Sequence, residues 1–338
     1  MAALARDRVV GIVGAGTMGI GIAQVAASAG HRVKLIDARH GAVDTAIAGL
    51  GKSLDGLVAK GKLAQDKADG ILARLEPADT YVDFEVCDLI VEAIVEDMGV
   101  KRALLAELEA VVGDTCILGT NTSSLSISAM AKEMRVPGRL VGIHFFNPAP
   151  VMQLVEIVSG LGTDPEAAHT AFDTMAAWGK APVHATSTPG FVVNRCARPF
   201  YAEALRLIVE RAADPATIDA VMRECGGFRM GPCELMDLIG HDVNFAVTNA
   251  VYDAYFKDPR YAPSALQAEM VAAGRLGRKS GRGFFDYAKG AAKPEPATEP
   301  PCTLPKQIVF EGEGEMFDAL AERASFTVDA VAGRTCVG

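Results

Sequence analysis

Residues Arg8 to Val13 form a short apolar run that leads into Gly14-Ala-Gly16-Thr-Met-Gly19. From there to about Ala29, apolar residues recur at helical spacing. This pattern predicts a buried strand, a tight glycine turn and an amphipathic helix that closes at Gly30-His31. Arg32 to Ile36 supplies the next strand, ending on Asp37. Two polar-faced helices are expected at Ala42 to Lys62 and Gln65 to Leu75. Strands return, read as parallel, at Asp88 to Val91, Cys116 to Leu118 and Arg139 to His144, with a helix at Asp97 to Val112 between the first two. Met152 to Val158 and Pro182 to Ala185 read as late strands around a helix at Asp164 to Trp178.

Alternation of this kind implies an α/β, Rossmann-type doubly wound sheet carrying a long helical-pair insertion. After Thr188-Pro189-Gly190 the strand signal stops. The pattern stays helical to about Gly290, broken at Asp214-Pro215 and Gly231-Pro232. The expected organisation is therefore a dinucleotide-binding domain at 1–187 and an all-helical domain at 188–290. Residues 291–338 are expected to be an Ala-, Pro- and Glu-rich linker and a tail. One strand (Gln307 to Phe310) and one helix (Met316 to Ala324) in that tail are too little for a core and read as the start of a further domain.

Composition narrows the function classes. Half of the 338 residues are apolar and 22% charged, a globular balance. A net charge of −9 argues against nucleic acid or an anionic membrane as partner, so an anionic ligand needs a local basic patch. Neither a bilayer-spanning run nor a signal-peptide core is present, and a cytoplasmic protein is expected. The seven cysteines (87, 116, 196, 225, 233, 302 and 336) show no Cys-x-x-Cys spacing and read as reduced, packed thiols. The histidines lack metal-ligand spacing, so no metal is expected.

Gly-x-Gly-x-x-Gly is a weak signal alone, but here a strand precedes it, a helix follows it, and an acid lies about 20 residues on. Gly14 suits the tight turn, Gly16 leaves room for a pyrophosphate, and Gly19 permits close helix packing. Thr17 and Met18 belong to the same loop, whose helix N-terminus favours phosphate. Asp37 would accept from both ribose hydroxyls and repel a 2′-phosphate, which favours NAD over NADP. Arg39, able to swing to a phosphate, keeps NADP open. Thr120-Asn121-Thr122-Ser123-Ser124 lies where such sheets hold ligands, although a helix N-cap run fits it equally. His144 ends an apolar strand; a lone histidine there is by default structural. Glu156 sits within Leu154-Val-Glu-Ile-Val158, where a buried carboxylate requires a partner, unless the residue faces outward on an alternating strand.

Taken together, the glycine loop, Val91-Glu-Ala-Ile-Val-Glu96, Asn121-Thr-Ser-Ser124, Gly142-Ile-His-Phe-Phe-Asn-Pro148, Leu154-Val-Glu-Ile157, Thr188-Pro-Gly-Phe-Val-Val-Asn-Arg195 and Met230-Gly-Pro232 resemble the 3-hydroxyacyl-CoA dehydrogenase family, in order, from about residue 8 to 288. The resemblance implies that His144 takes the substrate's hydroxyl proton and that Glu156 holds the other ring nitrogen. It implies that Ser123 and Asn194 bind the substrate oxygen, and that the two domains close to complete the site. Glu96, Lys101, Asn147 and Lys279 match cofactor-contacting positions. Ser53 and Lys60 match CoA contacts, with Lys52 and Lys62 nearby as a basic patch; a solvated helix face is the plainer reading of those lysines. A homodimer through the helical domain is also implied. Arg229 and Cys233, flanking Met230-Gly-Pro232, depart from the family's usual residues.

Within the family the chain is similar to the branch acting on 3-hydroxyadipyl-CoA in phenylacetate breakdown. That likeness rests on Asn147-Pro-Ala-Pro-Val-Met152, Trp178-Gly-Lys180, Asn194-Arg-Cys-Ala-Arg-Pro199 and Asp237 to Ala246. A diacid substrate calls for a cation in the acyl pocket, for which Arg198 and Arg229 are candidates. 3-Hydroxybutyryl-CoA is the main rival substrate. A dehydrogenase of free hydroxy acids and a non-catalytic, lens-like dinucleotide-binding protein are the competing readings.

Overall fold

The computed structural model describes residues 3–297 and the backbone of three short strands beyond them. β1 (Val9–Val13) enters the glycine turn and α1 (Thr17–Ala29) leaves it for β2 (Val33–Ile36). α2 (Ala42–Ala59) and α3 (Gln65–Leu72) follow. The expected continuation of the second helix to Leu75 is corrected: Leu75–Pro77 is a strand, β3, parallel to β2 at the sheet edge. Pro77 has no amide to give to a ladder, so an edge is where such a strand fits. β4 (Cys87–Glu92), α4 (Met98–Val111), β5 (Ile117–Thr120), the short α5 (Ile127–Ala131) and β6 (Leu140–Phe145) come next. β7 (Leu154–Ser159), α6 (Pro165–Ala177) and β8 (Ala181–Thr186) complete an eight-stranded sheet of order β3-β2-β1-β4-β5-β6-β7-β8.

Neighbouring strands are parallel except β6 and β7, which pair antiparallel. Their link, residues 146–153, holds no helix and is too short for a crossover, so the chain must turn back. β1 shows why the sheet has helices on both faces. Val10 and Ile12 pack with Ile22 and Ala26 of α1, while Val9 and Val13 pack with Leu104, Leu105 and Leu108 of α4. Between them, any side chain at Gly11 would run into the Phe84 ring, 2.3 Å from an added Cβ.

From Val193 to Ala272 the regular structure is helical: α7 (Val193–Val209), α8 (Pro215–Glu224), α9 (Pro232–Ile239), α10 (His241–Ala254) and α11 (Ala265–Ala272). Tyr201, Leu205, Ile218, Met236 and Phe285 form their shared core. Asp237, wholly buried, accepts from the amides of Phe284 and Phe285 and from the Tyr287 hydroxyl, which ties down the segment after α11. The expected strand near 307–310 corresponds to β9 (Ile308–Glu311). It pairs with β11 (Arg334–Val337), which also pairs with β10 (Val328–Val331), all antiparallel. The helix expected at 316–324 lies outside the described residues.

Cys87, Cys116 and Cys233 are buried free thiols, and burial pushes the first two up to about 12. Cys196 and Cys225 are exposed. Among the described residues no helix is long and apolar enough to cross a membrane, and no cluster of acidic, His or Cys side chains could hold a metal ion.

Candidate active site

At the carboxyl end of β1 the three glycines answer three different constraints. Gly14 has φ +102°, a conformation open to glycine, and donates its amide to Ile36 O at 2.8 Å. An added Cβ at Gly16 would meet nothing within 4 Å, so this position opens onto space, whereas one at Gly19 would lie 1.7 Å from Gly14 O. Gly16 is also the N-cap of α1, and no side chain caps it. Thr17 is exposed and Met18 partly buried in the first turn. The result is a helix start with unpaired amides and room in front of it, which suits an anion.

Asp37, at the end of β2, accepts from Ala15 N at 2.8 Å and from Arg39 N and Nε at 2.9 and 3.0 Å. The Arg39 hydrogen bond, helped by the Ala15 amide, holds its carboxyl down to about 2 against the effect of burial. Asp37 and Arg39 line a cleft of about 690 Å³ with Gly14, Gly16, Ile94, Val95 and Tyr81.

Two strands away, β4 ends on Glu92, 1% exposed, whose carboxylate binds Lys101 Nζ at 2.8 Å through both oxygens and also accepts from Thr120 Oγ1. Lys101 is equally buried. Its ammonium neutralises Glu92, with Glu96 Oε2 3.6 Å away. Glu96 Oε1 gathers the 120–124 loop, accepting from Thr122 Oγ1 at 2.7 Å, Ser123 N at 2.9 Å, Ser123 Oγ at 3.2 Å and Ser124 N at 3.1 Å. Burial pushes its pKa up, but Thr122, the Lys101 charge and the serines outweigh that and leave it below the usual range. Glu96 thus fixes the loop that carries Ser123.

His144 and Glu156 face each other directly across the antiparallel β6–β7 ladder, so their side chains leave the same face of the sheet. His144 Nδ1 lies 2.6 Å from Glu156 Oε2, with the imidazole 7% and the carboxylate 0% exposed. The second oxygen, Oε1, accepts from the amides of Val192 and Val193, both at 2.9 Å, where α7 begins. Burial pushes Glu156 up, and the bonds from His144 and these amides more than reverse it, leaving the carboxylate ionised. Phe146 and Phe191 flank the imidazole, their centroids 4.5 and 5.7 Å away. Nε2 has no partner among the described residues. Phe191 also lines a cleft of about 580 Å³, bounded by Ser123 and Glu96 on the sheet side and by Asn194, Val247 and Val251 on the helical side.

Two family models divide the chain. The 3-hydroxyacyl-CoA dehydrogenase NAD binding domain matches residues 9–188, and the C-terminal domain of the same family matches 190–287. The chain belongs to the 3-hydroxyacyl-CoA dehydrogenase family. It is 43% identical to the 3-hydroxyadipyl-CoA dehydrogenase of Escherichia coli K12, covering 96% of this chain and 72% of that one. It is 42% identical to the 3-hydroxybutyryl-CoA dehydrogenase of Clostridioides difficile, covering 82% and 99%. A crystal structure of 3-hydroxybutyryl-CoA dehydrogenase from E. coli K12 superposes with a TM-score of 0.82 at 45% identity, over 92% of this chain and 63% of that chain. One of (S)-3-hydroxybutyryl-CoA dehydrogenase from Ralstonia eutropha gives 0.80 at 41%, over 83% and 99%. The chain therefore spans somewhat less than two thirds of the E. coli crystal structure's length.

Measured against the family's expected contacts, the structure gathers some residues and leaves others apart. Ser123, Asn194 and Glu96 share one cleft, and His144 pairs with Glu156. Asn147 is exposed just past β6. Lys279, by contrast, lines neither cleft: its ammonium is held by Asp242 Oδ2 at 2.7 Å beside α10. Ser53 lies exposed on α2 and Lys60 exposed at its C-cap, and they line neither cleft. Of the two candidate cations for a diacid, Arg229 is exposed and Arg198 is 4% exposed. Sequence reasoning missed Glu92 and the Val192 and Val193 amides. An acid closing the apolar run Cys87–Glu92 was the available signal for Glu92; backbone donors leave none.

Proposed function

We propose that this chain oxidises the 3-hydroxyl of an acyl-CoA thioester to the 3-oxo compound with NAD, and that 3-hydroxyadipyl-CoA is its preferred substrate. The 2.6 Å contact between His144 and Glu156 carries the proposal. An ionised carboxylate on Nδ1 keeps the proton there and leaves Nε2 as the basic nitrogen. Nε2 takes the proton from the 3-hydroxyl as the carbon–hydrogen bond breaks, and Glu156 stabilises the imidazolium that forms. When bound, the nicotinamide supplies the hydride acceptor. Ser123, anchored through Glu96, and Asn194 hold the substrate oxygen from opposite walls of the cleft, which makes catalysis depend on how the sheet and helical regions close.

NAD fits the residues present. The space in front of Gly16, the uncapped start of α1 and the carboxylate of Asp37 match a pyrophosphate and a ribose diol. Ser53 and Lys60, with Lys52 and Lys62, offer an exposed basic face to the CoA phosphates. The preference for the adipyl chain is supported by the Escherichia coli relative of that name, and the rival, 3-hydroxybutyryl-CoA, by the shorter relatives. A cytoplasmic homodimer through the helical region, division at residue 187 and a role for Asn147 and Lys279 at the cofactor belong to the same reading. Exposed Leu238, Ile239 and Val243 on α9 and α10 favour the dimer.

His144→Gln tests the reaction. Turnover of 3-hydroxyacyl-CoA should vanish while NAD binding, followed by calorimetry, stays near wild type; near-normal turnover would remove the proposed base. Activity on free hydroxy acids that is indifferent to Lys60→Ala would favour the CoA-independent reading instead. Higher kcat/KM for the butyryl thioester than for the adipyl one would reverse the substrate preference.

A further inference from the structure

Among the described residues, three lysine or arginine side chains are buried to 4% exposure or less: Lys101, Arg139 and Arg198. Lys101 is neutralised by Glu92 and Arg139 by Glu109 at 3.1 Å. Arg198 is different. Among the described residues no carboxylate lies within ion-pair reach of it. Its Nε donates to Asn194 O at 3.1 Å, and its Nη1 donates to Asn244 O at 3.2 Å and Thr248 Oγ1 at 3.0 Å. The guanidinium carbon sits 4.8 Å from the centre of the Tyr201 ring, and among the described residues Nη2 makes no hydrogen bond. Neutral acceptors and an aromatic face recover only part of what desolvating a cation costs, so a buried arginine without an acid is an open half of an ion pair.

Its position says what could close that pair. Asn194 lines the cleft together with Phe191, which flanks His144. Arg198 lies four residues further along the same face of α7, about 6 Å away along the axis. Opposite, Val247 and Val251 of α10 line the cleft, while Arg198 bonds to Asn244 and Thr248, each three residues earlier on that helix. The guanidinium therefore lies between α7 and α10, just behind a cleft wall of Phe191, Val247, Ala250 and Val251 that suits methylene groups.

We infer that Arg198 is the specificity residue for an acyl chain ending in a carboxylate, pairing with that carboxylate at this wall of the cleft. The inference rests on the proposed 3-hydroxyacyl-CoA chemistry, with Asn194 at the 3-oxygen. From carbon 3 of an adipyl chain to its terminal carboxyl carbon is three bonds, about 4 Å extended. A hydrogen bond beyond that covers those four residues of helix. A butyryl chain stops at its methyl and leaves the guanidinium without an acid.

The test compares kcat/KM of wild type, Arg198→Met and Arg198→Lys on 3-hydroxyadipyl-CoA and on 3-hydroxyhexanoyl-CoA, which has the same carbon count but ends in a methyl. In Arg198→Met the adipyl-to-hexanoyl ratio should fall about 100-fold, as expected when one partner of a desolvated charge pair is removed. Arg198→Lys should fall between, since an ammonium keeps the charge without the planar fork. An unchanged ratio in both variants, with wild type still preferring the adipyl thioester, overturns the role of Arg198 and leaves the substrate reading standing. No adipyl preference in wild type overturns the substrate reading and the inference with it. If Arg198→Met does not fold, Arg198→Lys decides: a ratio lowered about tenfold supports the pairing, and an unchanged ratio refutes it.

Discussion

Replacing Glu156 by Gln changes one oxygen to an NH2 group without changing shape, and the surroundings dictate how the amide must sit. Oε1 accepts from two buried amides, Val192 N and Val193 N, both at 2.9 Å. Turning the new NH2 toward them would set donor against donor twice, at about 1–3 kcal/mol for each group left unsatisfied. The amide carbonyl therefore stays on the α7 side and the NH2 points at His144 Nδ1, 2.6 Å away in the wild-type pair. Facing a donor, Nδ1 must become an acceptor, which moves the ring proton to Nε2. A histidine in that tautomer cannot take a proton from a hydroxyl at Nε2. The expected loss in kcat is about 10³–10⁴-fold, as for other histidines deprived of an orienting carboxylate. That corresponds to about 4–5.5 kcal/mol of transition-state stabilisation. NADH formation under saturating substrate measures kcat, and calorimetric titration measures NAD affinity, which should stay within about threefold because Asp37 and the glycine loop are untouched. A kcat within about tenfold of wild type would show that the carboxylate does not set the tautomer, and the reasoning from the two amides would fail.

Other substitutions separate packing from binding. Gly19→Ala forces a Cβ to within 1.7 Å of Gly14 O and should destabilise the fold by about 1–3 kcal/mol in urea unfolding. Gly16→Ala, with nothing within 4 Å, should stay within about 0.5 kcal/mol yet weaken NAD binding. Lys101→Met strands the buried Glu92 charge and should cost about 3–5 kcal/mol by the same assay, and a loss below about 1 kcal/mol would contradict the pairing. Asp37→Ser removes the carboxylate that holds Arg39 and should raise the NADP-to-NAD ratio of kcat/KM by about 30-fold, measured with each cofactor in turn.

The sheet was legible because its strands are nearly all apolar and each is flanked by a turn signal, as with Arg8 to Val13 before Gly14. β3 was not, since three residues ending in Pro77 carry too little pattern to stand out from the helix before them. His144 and Glu156 could each be singled out, but their meeting depends on β7 running back along β6, a pairing that periodicity leaves open. Matching by family position also has a physical limit. Lys101 and Lys279 can be matched by residue type, but that Glu92 and Asp242 hold their ammonium groups cannot be seen in local sequence.

The two donors on Glu156 Oε1 are main-chain groups at positions 192 and 193, and this sets what the junction between sheet and helices can tolerate. Any residue other than proline brings an amide, so side chains there are free to drift. Spacing is not free: one residue inserted or deleted between Thr186 and Val193 would turn the helix start away and strand a buried oxygen. Evolution or engineering can rewrite this hinge letter by letter, but cannot change its length without silencing the histidine.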